Sequence, residues 1–425
     1  MTVTLLWGVV GCSNIIYDDY PVESGSETEL VTLVLNVGMV AESRAGADNP
    51  RESMHDLRIV LLDASGKVEY NEYIPLTGVE RYGEKIIRTV PGEKKIFLIA
   101  NEKSLSSVRM TGSDFAGLSG RSLSYVMESD AAKVGAANFE ALAEAIYFTP
   151  GDYGQMNNIP LSSSYEFTIP VGAKRIEQTF YLVHAATKFE FKFINERESD
   201  VRIDALSISS LAEDMYLMAN FGRETPATQK KVSWTQNGIT RSEYWIDWLK
   251  AVSDATTSNP ADPDNELVNK TYGWISDYEL PPTEPQKPQE HKTRNLIAGE
   301  NPAIAATYDN IPVASAETPS VTLPTVYFPE SKNISAAAAN RQDYKFSVTL
   351  TDTGIAEGSP YRTKQFTETL SFADADSQRN LVTLFRNTHV KVTCTVGYEA
   401  QDMTLNLLIG ICPWNYEEIN IPTFD

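Results

Sequence analysis

The residues able to do chemistry are few and scattered. The chain has three cysteines (Cys12, Cys394, Cys412) and four histidines (His55, His184, His291, His389). No two of these histidines stand at metal-ligand spacing, and three thiols cannot furnish a four-thiolate zinc site or a disulfide-rich scaffold. The sequence contains no G-x-S-x-G elbow, no H-E-x-x-H and no phosphate-cradling glycine loop. Among 57 Asp and Glu residues none is singled out by its neighbours. Asp262, Asp264 and Glu266 alternate, as do Asp374 and Asp376; both groups lack the full spacing of a calcium loop and read as solvated acidic loops. The expectation is therefore no catalytic residue, no cofactor and no metal, hence no enzyme.

One thiol has distinctive neighbours. Val3 to Val10 is nearly all apolar, and Val9-Val10-Gly11-Cys12 reads as the end of a lipoprotein signal, where the Cys12 thiol is acylated and the chain is cut before it. Such a signal needs a basic start. No Lys or Arg precedes Arg44, so the true start is expected upstream of Met1. The stretch after Cys12 is polar and acidic, as suits a tether. Cys394 and Cys412 flank the last hairpin. A turn near residue 400 sets 394 opposite about 407, not 412, which predicts two buried thiols rather than a disulfide. Trp234, Tyr244, Trp245 and Trp248 form the densest aromatic region; they could stack on sugar rings, or they could be core.

The charge balance is 36 Lys+Arg against 57 Asp+Glu, a formal net charge of −21. Such a surface repels phosphate backbones and argues against nucleic acid as a partner. No run reaches 18 apolar residues, which excludes a spanning helix from the sequence as given.

The elements that would position these residues are mainly strands. In 30–40, LVTLVLNVGMV, the apolar residues Val31, Leu33, Leu35, Val37 and Met39 recur at period two and share one face. Burying five such side chains is worth about 8–15 kcal/mol as an upper bound. Further strands are expected at 57–62 and 67–74 around the turn Asp63–Gly66, then at 84–90, 95–100, 165–169 and 178–194. The last of these is long enough to cross between domains. One helix is expected, with Asn138 as cap, Phe139, Leu142 and Ile146 as its stripe and Pro150-Gly151 after it. Residues 250–330 hold eleven of the 22 prolines, ten of them between Pro260 and Pro324, and read as long loops with short extended pieces. Strands return at 344–350, 389–396 and 403–411. Short strands, many turns and one helix predict an all-β protein of two β-sandwiches.

The order of these pieces resembles the fimbrillins, the type V pilin subunits of Bacteroidia. The resemblance rests on Cys12 and its apolar run, the strand ending near Ser43-Arg44-Ala45, Leu57–Leu62 with its Asp-Ala-Ser-Gly turn, and Phe97-Leu-Ile-Ala-Asn-Glu102. It continues through Ile159-Pro-Leu-Ser162 and the strand Phe180–Phe193 to the hairpin finishing in Pro413-Trp414-Asn415.

The resemblance implies two tandem transthyretin-like Greek-key β-sandwich domains with short helices in loops. On this reading 1–12 is a truncated lipoprotein signal, and 13–44 is a tether with a removable first strand. The first domain covers 45–177, and the second covers 178–425 with the Pro-rich insertion 250–330 and a C-terminal donor hairpin. It also implies export as an outer-membrane lipoprotein and a cut by an Arg-specific surface protease. Arg44, followed by Ala45, is the best-placed cut site; Arg51 and Arg58 are rivals, Arg58 the poorer because it falls within a strand. A strand from another fimbrial subunit would then fill the vacated groove, in a surface fimbrium serving adhesion to host or bacterial surface ligands. Carried onto this chain, the donor comprises Leu405, Leu407, Ile409 and Ile411, continued by Ile419 and Ile421 beyond Pro413. The same hairpin could instead close its own sandwich. The alternatives are a membrane-anchored minor subunit and a glycan-binding surface lipoprotein that does not polymerise.

Overall fold

The computed structural model describes residues 30–39, 49–150, 158–218, 232–236, 239–243, 291–315, 317–332, 344–372, 379–380, 383–384 and 386–414. Cys12, Arg44, Ala45, Ile419, Ile421, the acidic pairs at 262–266 and 374–376, and the aromatic residues 244, 245 and 248 lie outside them.

The chain is all-β and built as sandwiches. The first group of strands is β1 (Val31–Met39), β2 (Met54–Leu62), β3 (Val68–Val79), β4 (Arg81–Thr89), β5 (Gly92–Ala100), β6 (Arg109–Met110), β7 (Ile146–Phe148), β8 (Leu161–Ile169) and β9 (Arg175–His184). All of these but β6 and β7 run in one path, β3-β2-β5-β8-β9-β1-β4. The path turns over at β8–β9, where only Leu161–His184 and Ser162–Val183 pair. This lays β4-β1-β9 over β2-β5-β8, with the side chains of both layers in one core.

β2 is buried on both faces, which explains its unbroken apolar run in place of an alternation. Leu57, Ile59 and Leu61 face β1, whereas Val60 and Leu62 face a second cluster around α1 (Leu123–Met127) and α2 (Phe139–Ala145). The turn Asp63–Gly66 forms as expected, with Gly66 at φ +80°.

The expected helix exists but is shorter and capped differently. Phe139 and Leu142 pack inward, Phe139 edge-on to Phe97 with ring centroids 5.3 Å apart. Asn138 takes φ −118°, ψ 20°, and its side chain makes no cap hydrogen bond. Ile146 leaves the helix because β7 pairs with β6 and with β12 (Met215–Tyr216). Helix α1, capped by the Ser122 hydroxyl accepting from the Tyr125 amide at 3.3 Å, has five residues, too few for a period to show.

The remaining strands are β10 (Thr187–Asn195), β11 (Val201–Ala212), β13 (Val232–Gln236), β14 (Ile239–Glu243), β15 (His291–Ile297), β16 (Tyr308–Ile311), β17 (Val321–Thr322), β18 (Val326–Phe328), β19 (Ser331–Lys332), β20 (Lys345–Asp352) and β21 (Thr363–Thr369). The chain closes with β22 (Ser371–Phe372), β23 (Arg379–Asn380), β24 (Thr383–Leu384), β25 (Thr388–Glu399) and β26 (Asp402–Pro413). Sheet β17-β10-β25-β26 faces sheet β15-β11-β20-β21. Between them lie Phe189, Phe191 and Phe193 of β10, Val390, Val392 and Cys394 of β25, and Phe346, Val348 and Leu350 of β20.

Two differences from the sequence reading have plain causes. The stretch 178–194 is two strands, because Ala185 and Ala186 break the ladder: the Ala185 amide donates to Pro160 O and the Asn387 amide donates to Ala186 O, each at 2.8 Å. β9 therefore belongs to the first group and β10 to the second. Within 250–330, β15 is a full sheet strand rather than a loose extended piece, held by pairing with β11 from Ile297 to His291.

Candidate functional site

β1 is the middle strand of its layer. It runs parallel to β9 from Thr32–Arg175 to Met39–Leu182, and antiparallel to β4 from Val31–Thr89 to Gly38–Arg81. Val31, Leu33, Leu35, Val37 and Met39 are all at most 3% exposed, so the whole period-two stripe is in the core. The β1–β4 ladder bulges between Leu35 and Val37. There Glu84 takes φ 61° and its amide donates to Asn36 Oδ1 at 3.2 Å, while Asn36 Nδ2 donates to Glu177 at 3.1 Å. A Cβ on Gly38 would touch the Tyr181 ring at 3.5 and 3.6 Å. Without β1, the facing edges of β4 and β9 would present unpaired backbone groups beside an apolar slot.

The second sequence-derived segment, β26, is seated in its own sandwich. Among the described residues it pairs with β25 alone, from Thr388–Pro413 to Glu399–Asp402. Met403 and Ile409 are buried, Leu405 and Leu407 are half-buried, and Leu408 points out at 45% exposure. For Ile411 only the backbone is described. The hairpin arithmetic is met: Cys394 faces Leu407 and Cys412 faces His389. Cys394 is a free, buried thiol whose pKa is pushed up by burial.

Of the rival cut sites, Arg58 is 4% exposed and forks onto Glu102, with Nε and Nη2 donating at 2.7 and 2.8 Å. No protease reaches it in the folded chain. The carbonyl of Arg51 accepts from the Ile159 amide at 2.9 Å. Asn101, at φ 60°, donates through Nδ2 to Ser53 O and Ile159 O. The motif pieces 97–102 and 159–162 thus meet around the segment that leads from β1 into β2.

Sequence reasoning missed the junction where this segment meets the end of β26. Trp414, 1% exposed, donates through Nε1 to Glu52 Oε2 at 2.6 Å. Its ring stacks on His184, with centroids 4.3 Å apart and planes at 6°, and on Tyr327 at 5.4 Å. Glu52 also accepts from the Tyr327 hydroxyl at 2.6 Å and pairs with Lys188 at 3.0 Å. Burial by itself pushes the Glu52 carboxyl up. The Lys188 ammonium and the Tyr327 hydrogen bond help to outweigh that, so its pKa lies below the ordinary value. Burial holds His184 below the ordinary histidine value. Below this layer, Arg386 and Glu330 form a fully buried pair, and Arg386 also donates to Leu217 O and Tyr216 O, each at 2.7 Å. Buried charges of this kind are tolerated only when fully hydrogen-bonded. The residues come from β9, β10, β18 and three connections, so no local pattern announces them. The one signal in the sequence was the Pro413-Trp414-Asn415 ending.

Among the described residues no cluster of three or more His, Cys, Asp or Glu is placed to hold a metal ion, and no helix is long and apolar enough to cross a membrane. What the arrangement can do is mechanical: hold one strand by both edges, and anchor the end of another with an indole.

No protein-family model and no curated protein matches the sequence. Solved structures do resemble it. The tip fimbrial protein Mfa3 of Porphyromonas gingivalis, with a C-terminal truncation, is similar at 13% identity and TM-score 0.47, over 91% of this chain and 100% of that one. A fimbrilin, fimA, from P. gingivalis W83 is similar at 13% identity and TM-score 0.44, covering 91% and 98%. A putative cell adhesion protein from Bacteroides eggerthii DSM 20697 is similar at 11% identity and TM-score 0.44, covering 92% and 98%.

Proposed function

We propose that the chain is a structural subunit of a surface fimbrium, divided into two β-sandwich domains between His184 and Thr187, and assembled by strand exchange. The supporting observation is the seat of β1. This strand supplies five core side chains and two hydrogen-bonded ladders, and it comes first in sequence among the described elements. A single cut after Arg44 would free it. The subunit would be carried to the outer membrane as a lipoprotein on Cys12, cut by an Arg-specific surface protease, and completed by the C-terminal strand of another subunit. Its role is adhesion and assembly, not catalysis.

N-terminal sequencing of protein stripped from native cells tests the reading. A surface form beginning at Ala45 is expected. Acylated Cys12 retained on all native protein would overturn polymerisation and assign a membrane-anchored subunit instead.

A further inference from the structure

Residues 403–411, MTLNLLIGI, repeat the pattern of 31–39, VTLVLNVGM. Apolar residues coincide at all five inward positions: Val31 with Met403, Leu33 with Leu405, Leu35 with Leu407, Val37 with Ile409 and Met39 with Ile411. Thr, Leu, Leu and Gly are identical at positions two, three, five and eight. The last identity is informative because the two glycines have different surroundings. At Gly38 the Tyr181 ring and the Arg81 side chain lie 3.5 to 3.9 Å from where a Cβ would sit, so anything branched beyond Cβ meets the ring. At Gly410 a Cβ would meet none of the described residues within 4 Å, and the backbone has no positive φ. No described contact in its own sandwich requires a glycine there, and an outward position on an edge strand ordinarily favours a side chain.

We infer that Gly410 is kept small for a second copy of this chain, in which 403–411 occupies the place of 31–39 in the same register, with Gly410 beneath Tyr181 of that copy. The inference rests on the strand-exchange reading and adds the partner, the register and the residue that sets it. The incoming segment runs parallel to β9 and antiparallel to β4, and Pro413 falls past the end of the ladder, where its missing N–H is not needed. Two outward positions change character: Asn406 replaces Val34, which is 1% exposed in β1, and Leu408 replaces Asn36, so the Glu84 amide loses its side-chain acceptor. The Gly38–Tyr181 contact thus acts as a register pin. A one-residue slip would put Ile409 or Ile411 under the ring and turn every apolar side chain outward.

The test uses the full chain, cleaved after Arg44 with the leader still seated. Nine-residue peptides are added, and release of fragment 1–44 is followed by mass spectrometry. Peptides 31–39 and 403–411 are both expected to displace the leader. The 403–411 peptide carrying Gly410→Val should be weaker by about tenfold or more, as overpacking against a fixed ring requires, and Tyr181→Ala in the chain should restore it. In the intact chain, Gly410→Val should leave the melting of the monomer unchanged and abolish ladders on unheated gels. If 31–39 displaces the leader and 403–411 does not, or if the valine peptide works equally well, the inference is overturned. If neither peptide displaces the leader, strand exchange itself is overturned, and the inference with it.

Discussion

β1 is clasped on both edges and buried on its core face at every apolar position. β26 carries the same alternation but, among the described residues, is clasped on one edge, half-buried at Leu405 and Leu407, and exposed at Leu408. The two strands are near-equivalent as sequence and very unequal as structure. A strand with two ladders cannot leave a folded domain without tearing both, so its release needs a covalent cut. An edge strand can peel from one ladder. What holds β26 is then its far end, where Trp414 is fixed between His184 and Tyr327 and hydrogen-bonded to Glu52. Under the proposed function, the difference suits the strands to opposite tasks: one retained until cut, the other detachable.

The largest test of this contrast places a charge in each strand. Leu35→Asp should abolish cooperative folding, since an unpaired buried carboxylate costs more than about 4 kcal/mol. Leu407→Asp should cost only about 1–2 kcal/mol, because the half-buried edge admits water. Urea denaturation checks both, and equal losses would break the comparison. Next, Trp414→Ala should cost about 3–5 kcal/mol and lower hydrogen-exchange protection along 403–410 while leaving β1 protected. Protection lost equally in both strands would show that the indole anchors the whole fold and not β26.

A smaller effect is set by pH. Burial lowers the pKa of His184, and burial with Lys188 and Lys391 lowers that of His389, whose Nε2 lies 3.9 Å from Glu190. The unfolded chain therefore binds more protons than the folded one once pH drops below about 6.5. Stability is full above that pH and declines below it, by up to about 1.4 kcal/mol per pH unit for each histidine. Glu52, also held below its ordinary value, adds a further loss as pH falls below 4.5. Both histidines border the end of β26: His184 stacks on Trp414 and His389 faces Cys412. His389→Gln should reduce the slope between pH 6.5 and 5 in chemical denaturation, and an unchanged slope would remove this histidine from the account. The smallest effect is expected at Leu408→Ser, within about 0.5 kcal/mol for the monomer; a larger loss would mean that the outer face of β26 is covered.

Much of the β-structure was readable because it is local. The period-two stripe of 31–39 needed no tertiary knowledge, and a hairpin has only one register once its turn is placed, which is why Cys394 was correctly set against Leu407. The turn at Gly66 followed from the same local logic. Where pairing is non-local, the reading stopped. β11 and β15, separated in sequence by the proline-rich stretch, find each other across 212–291. β10 and β25 pair in parallel from opposite ends of the second half. The helix reading ran past Ala145 because a helical stripe and a short strand both begin with an apolar residue, and only pairing with β6 and β12 decides between them.

By itself the sequence determined that the chain is built from strands, which faces of β1 and β26 are apolar, and that both segments are apolar at the same five alternating positions. Those properties reside in side-chain period and turn chemistry, which act over a few residues. Only the tertiary structure decided that, among the described residues, β1 has two neighbours and β26 one, that Gly38 lies under Tyr181 while Gly410 has no described neighbour at that position, and that Glu52, His184, Tyr327 and Trp414 form one buried cluster. These depend on contacts between residues far apart in the chain, and no local spacing records which distant segment will supply the other half.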